Sequence, residues 1–512
     1  MFAKPLHAVR AVLALLALVL LVAMVSAVQR GRPVELPEAG PFRLHCVSYA
    51  PFRRPGETPF DEKLRITPEA IEADLRLLAS VTGCVRTYGL DHGLDAVPAI
   101  ARTLGLKVLL GAWIGRDPAA NTRQLQRALE LAREFKDVVQ LLIVGNEVLL
   151  RGELAPPALA ALLAEARRAS PVPVAYADVW AFWQRHRTEL LPSVDVVAAH
   201  ILPYWEDEPV DNALAAGYVR RMAADLRAEF APTHVYVAET GWPAAGRQRG
   251  PAMPGRLEQA RFVRQLVADG SLDFNLIEGF DQPWKRRLEG AMGGAWGLFD
   301  SAGAQRVPSR GPIVPDPAWY ASLLGALGGG MLLALFGGRP RRALGALMVG
   351  GGLVGFFAVP QILSLPLWSR DLWEWARNLA MLGVVLAAGS VAAARLAELA
   401  QKHQGICQPS TSDARWRAIV QTVLLACVVL EAFWLAIDGR YRPLPWPSLV
   451  APALLFAALA ALGDRLPARR GRRLLALLAG VLAVAVVAGE GPGNGEALRY
   501  AGLAVLLALA SF

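Results

Sequence analysis

Charge and cysteine are both scarce in this chain. Only 19% of its 512 residues are Asp, Glu, Lys or Arg, 54% are hydrophobic, and mean hydropathy is +0.34. Averages of that kind fit a membrane protein better than a wholly water-soluble one. There are four cysteines and seven histidines, and no Cys/His spacing resembles a zinc site. Cys46 and Cys84 fall on predicted neighbouring strands. They either pair or stand as buried thiols, and buried thiols are the commoner state in a barrel. Cys407 and Cys427 fall in the apolar C-terminal part. The net charge of +9 invites a nucleic-acid reading. Much of that excess instead sits in short loops between apolar spans, where basic residues set membrane orientation, so nucleic acid is not an expected partner.

The apolar residues are unevenly placed. Lys4 and Arg10 precede an almost wholly apolar run, Ala11 to Val28. That run reads either as a signal peptide, with a passable cleavage site at Val25-Ser26-Ala27, or as a retained anchor. Both carry the following residues across a membrane. Residues 29–41 form a linker, and 42–300 look like an ordinary soluble domain. Residues 301–317 form a Pro-rich linker with Pro308, Pro312, Pro315 and Pro317. Residues 318–512 then read as a membrane domain of about seven helices, near 318–338, 344–366, 377–397, 417–437, 447–463, 474–489 and 498–512. With the N-terminus inside, the predicted inner loops carry Arg339, Arg341 and Arg342; Lys402, Arg415 and Arg417; and Arg465, Arg469, Arg470, Arg472 and Arg473. The predicted outer loops are short and mixed in charge. This alternation obeys the positive-inside rule and places residues 42–300 outside. Glu431 lies inside a predicted span, either as a functional group or as an interfacial one.

Between residues 42 and 280, short apolar runs alternate with amphipathic ones. Strands are predicted at 43–49, 84–88, 107–113, 140–146, 173–178, 195–201, 234–239 and 274–280. One helix reads closely: Thr67 as N-cap, Pro68 at the first position, and Ile71, Leu75 and Leu78 along one face. About eight strand–helix units in this length predict a closed (β/α)8 TIM barrel followed by an α-helical multi-span membrane domain.

In such a barrel, functional groups gather at the C-terminal strand tips. The tips here carry Tyr49; Arg86 and Tyr88; Trp113; Asn146 and Glu147; Asp178; His200, Tyr204 and Trp205; Glu239 and Trp242; and Gln282, Trp284 and Lys285. The set is aromatic and acidic. It holds no Gly-rich phosphate loop, no Ser-His-Asp arrangement and no metal cluster, so neither a metal nor a cofactor is expected. Two apolar strands end in carboxylates, Gln140-Leu-Leu-Ile-Val-Gly-Asn-Glu147 and His234-Val-Tyr-Val-Ala-Glu239. Glycoside hydrolysis needs two such groups, one protonated and one ionised. Tyr88 and Tyr204 read as substrate contacts or as barrel packing. The position of Asp178 depends on the register of its strand. Arg86 is suited to hold a carboxylate by charge-assisted hydrogen bonds, and Lys285 to neutralise nearby glutamates.

The chain resembles glycoside hydrolase family 17, a β-1,3-glucanase family of retaining (β/α)8 enzymes. The motifs are Val-Arg-Thr-Tyr-Gly (85–89), Val-Gly-Asn-Glu (144–147), Pro-Tyr-Trp-Glu (203–206), Glu-Thr-Gly-Trp-Pro (239–243) and Glu278-Gly-Phe-Asp-Gln-Pro-Trp-Lys285, with Glu289 and Trp296-Gly-Leu-Phe299 downstream. The resemblance covers about 42–300. It implies Glu147 as acid/base and Glu239 as nucleophile, with Tyr88, Tyr204, Lys285 and Glu289 lining the cleft. Many relatives have Glu where this chain has Gln282, which puts an auxiliary carboxylate in doubt. The layout also resembles bacterial membrane-bound members implicated in cyclic β-(1,3),(1,6)-glucan synthesis.

These readings predict an enzyme that cleaves β-1,3-glucan through a glycosyl-enzyme and transfers it to a sugar, outside a bacterial inner membrane. Water as acceptor would make it a glucanase. A non-catalytic glucan-binding membrane subunit is the remaining alternative. The expected partners are a β-glucan, the lipid bilayer and a glucan synthase.

Overall fold

The computed structural model describes residues 4–38, 43–268, 270–336, 343–401, 411–464, 466 and 469–512. Phe42, Arg339, Arg341, Arg342, Lys402, Cys407 and Arg465, which entered the reading above, lie outside the described residues. The chain divides into two compact units. One comprises Glu35–Gly246 and Ala252–Ile313; the other comprises Met1–Val34, Arg247–Pro251 and Val314–Phe512.

The first unit is a closed, all-parallel barrel of eight strands in sequence order. The strands are β1 (Cys46–Ser48), β2 (Cys84–Arg86), β3 (Lys107–Ala112), β4 (Val139–Asn146), β5 (Val174–Val179), β6 (Val196–His200), β7 (His234–Thr240) and β8 (Phe274–Leu276). Alternate residues face opposite sides of a strand. One set, with Cys46, Cys84, Leu109, Leu141, Ile143, Ala175, Ala177, Ala198 and Ala238, fills the barrel interior. The other set, including Val47, Val85, Val108, Leu110, Leu142, Val144, Val197 and Val237, packs with the surrounding helices. The interior alanines Ala175, Ala177, Ala198 and Ala238 leave room for larger side chains at the strand tips. The helix Pro68–Ala79 forms as its sequence predicts: Thr67 accepts from Ala70 N, and Ile71, Leu75 and Leu78 are fully buried.

Cys46 and Cys84 are joined in a disulfide. This corrects the expectation of buried thiols. β1 and β2 pair in register with Val47 opposite Val85, which sets the two cysteines side by side, their Cα atoms 4.4 Å apart. The stretch 301–317 is also less of a linker than its prolines suggest. Val307 and Ile313 are buried in the barrel unit's core.

The second unit is helical. Six helices are long and apolar enough to cross a membrane: His7–Arg30, Trp319–Phe336, Leu344–Trp368, Leu372–Gln401, Ala414–Ile437 and Arg470–Glu490. Trp446–Ala461 is a shorter apolar helix, and Gly495–Leu509 has 15 residues. Small residues set the helix spacing. A Cβ on Gly325 would lie 2.3 Å from the carbonyl oxygen of Gly355, so glycine permits the contact between Trp319–Phe336 and Leu344–Trp368.

Candidate active site

Strand parity decides which tip residues enter the barrel mouth. On β1 and β2, Cys46 and Cys84 point inward, so Ser48, Arg86 and Tyr88 do also. Tyr49 has the opposite parity. It is fully buried among the helices, and its hydroxyl donates to Asp74 Oδ2 at 3.2 Å. On β4 and β7, simple alternation from Ile143 and Ala238 would turn Asn146 and Glu239 outward. The register shifts between Ile143 and Asn146, and again between Val237 and Thr240, and these irregularities bring both side chains into the mouth. A third shift falls between Ala199 and His200.

Beyond β4 the backbone turns sharply. Gly145 has φ +84°, and a Cβ there would meet Val148 Cγ2 at 2.7 Å. Glu147 has φ +52°, a left-handed conformation uncommon for a residue with a side chain. It is held by its N–H, which donates to Ala177 O at 2.8 Å. Arg151 locks the same turn by donating to Asn146 O and Ile114 O, both at 2.9 Å.

Glu147 and Glu239 converge on His200. Its Nδ1 lies 3.1 Å from Glu147 Oε1, and its Nε2 lies 3.7 Å from Glu239 Oε1. One donor atom from each of the three residues lies within 4.8 Å of the others. Arg86 Nη1 donates to Glu239 Oε1 at 3.0 Å and to Ala238 O at 2.7 Å, while Nη2 donates to Asn146 Oδ1 at 2.6 Å. Tyr88 donates its hydroxyl to Glu239 Oε1 at 2.8 Å. That proton is spent, so Ser48 Oγ must donate to Tyr88 at 2.8 Å, and Asn275 Nδ2 donates to Ser48 at 2.7 Å. Burial pushes the Glu239 carboxyl up, but His200, Arg86, the Tyr88 hydrogen bond and Lys285 outweigh it and hold its pKa below the ordinary value. Glu239 is therefore the ionised member. Glu147 is more open, with 24% of its side chain exposed.

A second cluster sits beside this pair. Lys285 Nζ lies 2.9 Å from both carboxylate oxygens of Glu278. Burial pushes Glu278 up to about 7, with Lys285 opposing it only in part. Burial also pushes Glu289 up to about 7, and the charges of Glu147 and Glu239 add to the rise. Burial disfavours the Lys285 ammonium, but Glu278 and Glu289 outweigh it and raise its pKa. Gln282 supplies no carboxylate. It is buried, donates to Ala50 O at 2.8 Å and accepts from Trp284 Nε1 at 2.9 Å. The carboxylates around the lysine are thus Glu278 and Glu289.

The other expected residues divide into walls and supports. Trp113 is 40% exposed next to Arg151, whose guanidinium lies 4.1 Å from the ring centre. Trp205 is half-buried and stacks on Trp296, with ring centres 6.3 Å apart and planes at 16°. Trp284 is half-buried, edge-on to Phe60. Tyr204 and Trp242 are fully buried and pack edge to face, so of the two readings of Tyr204 the structure shows barrel packing, and the expected substrate contact of Trp242 gives way to packing. Asp178 has outward parity. It accepts from Tyr176 Oη and from Val179 N and does not project into the mouth. Glu278, Ser48, Asn275 and Arg151 were absent from the expected set. Ser48 was findable from the parity it shares with Cys46. Glu278 opens the motif that follows β8.

Glu147, His200 and Glu239 are the one triad among the described residues with metal-ligand donors in range. Their surroundings do not fit a cation. Arg86 already occupies Glu239 Oε1, and Lys285 adds a second positive charge nearby.

Residues 46–297 match the BtgE/BtgC glycoside hydrolase domain. A probable β-glucosidase, btgE, of Aspergillus fumigatus is 28% identical over 223 residues, which is 42% of this chain and 39% of the relative. The Emericella nidulans counterpart is 30% identical over 221 residues, 40% of this chain and 38% of the relative. A probable glucan endo-1,3-β-glucosidase, btgC, of Aspergillus clavatus is 27% identical over 285 residues, 48% of this chain and 39% of the relative. The chain therefore spans about two fifths of the length of these curated relatives. Among solved structures, a family 17 β-1,3-glucanosyltransferase of Rhizomucor miehei aligns over 52% of this chain and 97% of its own, at 23% identity and a TM-score of 0.45.

Proposed function

We propose that the barrel is a retaining glycosidase acting on β-1,3-linked glucan, with Glu239 as nucleophile and Glu147 as acid/base. One observation carries this: the two carboxylates have oxygens within 4.8 Å of each other. Retaining enzymes hold their pair about 5–5.5 Å apart, whereas inverting enzymes leave about 6.5–9.5 Å for a water. In the first step a Glu239 oxygen bonds to the anomeric carbon, the glycosidic C–O bond breaks, and Glu147 gives its proton to the leaving oxygen. In the second, an acceptor hydroxyl bonds to that carbon, its proton passes to Glu147, and the ester to Glu239 breaks. Arg86 and Tyr88 keep Glu239 ionised before attack. His200 holds Glu147 through the 3.1 Å contact of its Nδ1, while its Nε2, 3.7 Å from Glu239, makes no hydrogen bond.

The acceptor we favour is a second sugar, so that the enzyme remodels or branches glucan. The loop charges support a barrel outside a bacterial inner membrane, and the apolar helices support anchoring there. A secreted scavenging enzyme would need no such helices. Water as acceptor is the second reading, motivated by the glucosidase names of the relatives. Residues 42–300 constitute the catalytic domain in this reading, and a glucan synthase is a candidate partner. The test uses the full chain in detergent with a reduced β-1,3-glucooligosaccharide, its products read by mass and NMR. Longer or branched products with retained β configuration support transfer, and shorter products alone support hydrolysis. Inverted products would overturn the retaining assignment. Unchanged substrate that remains bound would leave only a glucan-binding subunit.

A further inference from the structure

A cavity of about 130 Å³ opens inside the helical unit. Ends of five helices build it. Trp368 closes Leu344–Trp368, and Arg377 and Asn378 lie near the start of Leu372–Gln401. Glu431 lies near the end of Thr411–Asp438, Trp446 opens Trp446–Ala461, and Glu496 sits in the first turn of Gly495–Leu509. The two indoles are half-buried. The polar groups are incompletely satisfied. Glu431 and Arg377 are each 88% buried by side chain, yet their closest approach is 3.6 Å, outside hydrogen-bond range. Arg377 Nε has no hydrogen-bond partner. A buried pair held this loosely loses much of the energy that could offset its desolvation, unless a further group completes it.

The chemistry of the lining narrows the occupant. Two carboxylates, Glu431 and Glu496, disfavour an anion. Arg377, drawn up to Glu431, disfavours a simple cation. Asn378 Nδ2 already donates to Ser369 Oγ at 3.0 Å, and Arg377 Nη2 to Asn378 Oδ1 at 3.2 Å. What remains are acceptors on the carboxylates, the unpartnered Nε donor of Arg377, and two indoles for an apolar face. A neutral polyhydroxylated ring matches all three: its hydroxyls both donate and accept, and its C–H face stacks on an aromatic. A water needs ~10–15 Å³ of such space, so the cavity has room for about ten waters, the scale of one monosaccharide ring rather than a chain. We propose that this cavity is a carbohydrate-binding site in the helical unit that takes a single pyranose unit between Trp368 and Trp446, with Glu431 and Arg377 on its hydroxyls.

The ligand class follows from the cavity alone. The choice of glucose as probe rests on the glucan reading of the barrel. The experiment places the full chain in nanodiscs with a diazirine-bearing β-glucoside, followed by peptide mapping after illumination. Cross-links are expected in residues 361–382 and 431–448, and excess D-glucose should suppress them. Glu431→Gln should cut the suppressible yield about tenfold, as loss of one charge-assisted hydrogen bond implies, while Trp368→Phe retains most of it. Helical cross-links that glucose does not suppress, or none in those residues, would overturn the proposal. Cross-links in residues 46–297 report separately on the barrel, so either site can fail alone.

Discussion

Arg86 offers the sharpest test of the site. Its guanidinium serves Glu239 Oε1, Ala238 O and Asn146 Oδ1, and its side chain is 1% exposed. At 3.0 Å, with an effective dielectric constant of ~20, the attraction to Glu239 is about 5 kcal/mol. His200, Tyr88 and Lys285 also favour the ionised carboxylate, so removing Arg86 forfeits only part of the total. Losing that adjacent positive charge raises the Glu239 pKa, with the remaining three groups opposing the rise. In Arg86→Gln the acidic limb of kcat/KM should therefore move to higher pH, lowering activity about tenfold or more on that limb and much less on the alkaline side. Arg86→Lys keeps the charge but loses the fork, and should shift the limb less. The assay is the pH profile of kcat/KM on a β-1,3-glucooligosaccharide, with thermal unfolding of each variant to confirm the fold. A folded Arg86→Gln with an unmoved acidic limb would refute the claim that Arg86 keeps Glu239 ionised.

Three further outcomes are expected. Glu147→Gln should lower kcat/KM about 10²–10⁴-fold on a glucan but spare kcat/KM on an aryl glucoside whose leaving group needs no proton, since that ratio reports the first step alone; equal losses of kcat/KM on both would remove Glu147 from the acid role. Glu278 has a folded pKa of about 7 against an ordinary 4.5, so the folded state binds the extra proton between those values. Stability from it is complete below about pH 4.5 and is lost as pH rises through about 7, up to ~3 kcal/mol, and Glu278→Gln should flatten that slope in melts at pH 5 to 8. Parity separates two aromatics: Tyr49→Phe should cost about 1–2 kcal/mol of stability with KM unchanged, whereas Trp113→Ala should raise KM about fivefold with stability nearly unchanged. The reverse pattern would show that Tyr49, not Trp113, faces substrate.

The alternation of short apolar runs with amphipathic helices is local information, carried by periodicities of two and 3.6. It was enough to predict eight strands, the helix after Thr67 and the apolar C-terminal helices. It also brought Glu147 and Glu239 forward, because strands such as 140–146 and 234–239 run directly into a carboxylate. Which tip residues face inward was only half legible. On β1 and β2 the parity of Cys46 and Cys84 already assigns Ser48, Arg86 and Tyr88 inward and Tyr49 outward. On β4 and β7 the same rule would send Asn146 and Glu239 the wrong way, and register shifts against β5 and β8 reverse it. Such shifts depend on how a neighbouring strand pairs, so no single segment encodes them. The same reason hid the Cys46–Cys84 bond, the lysine held by Glu278 rather than by a carboxylate at Gln282, and a cavity built from five helix ends. The residue types for the proposed chemistry, and their order, stood in the sequence. The 4.8 Å convergence on His200, and the guanidinium that keeps one carboxylate ionised, came only with the closed barrel.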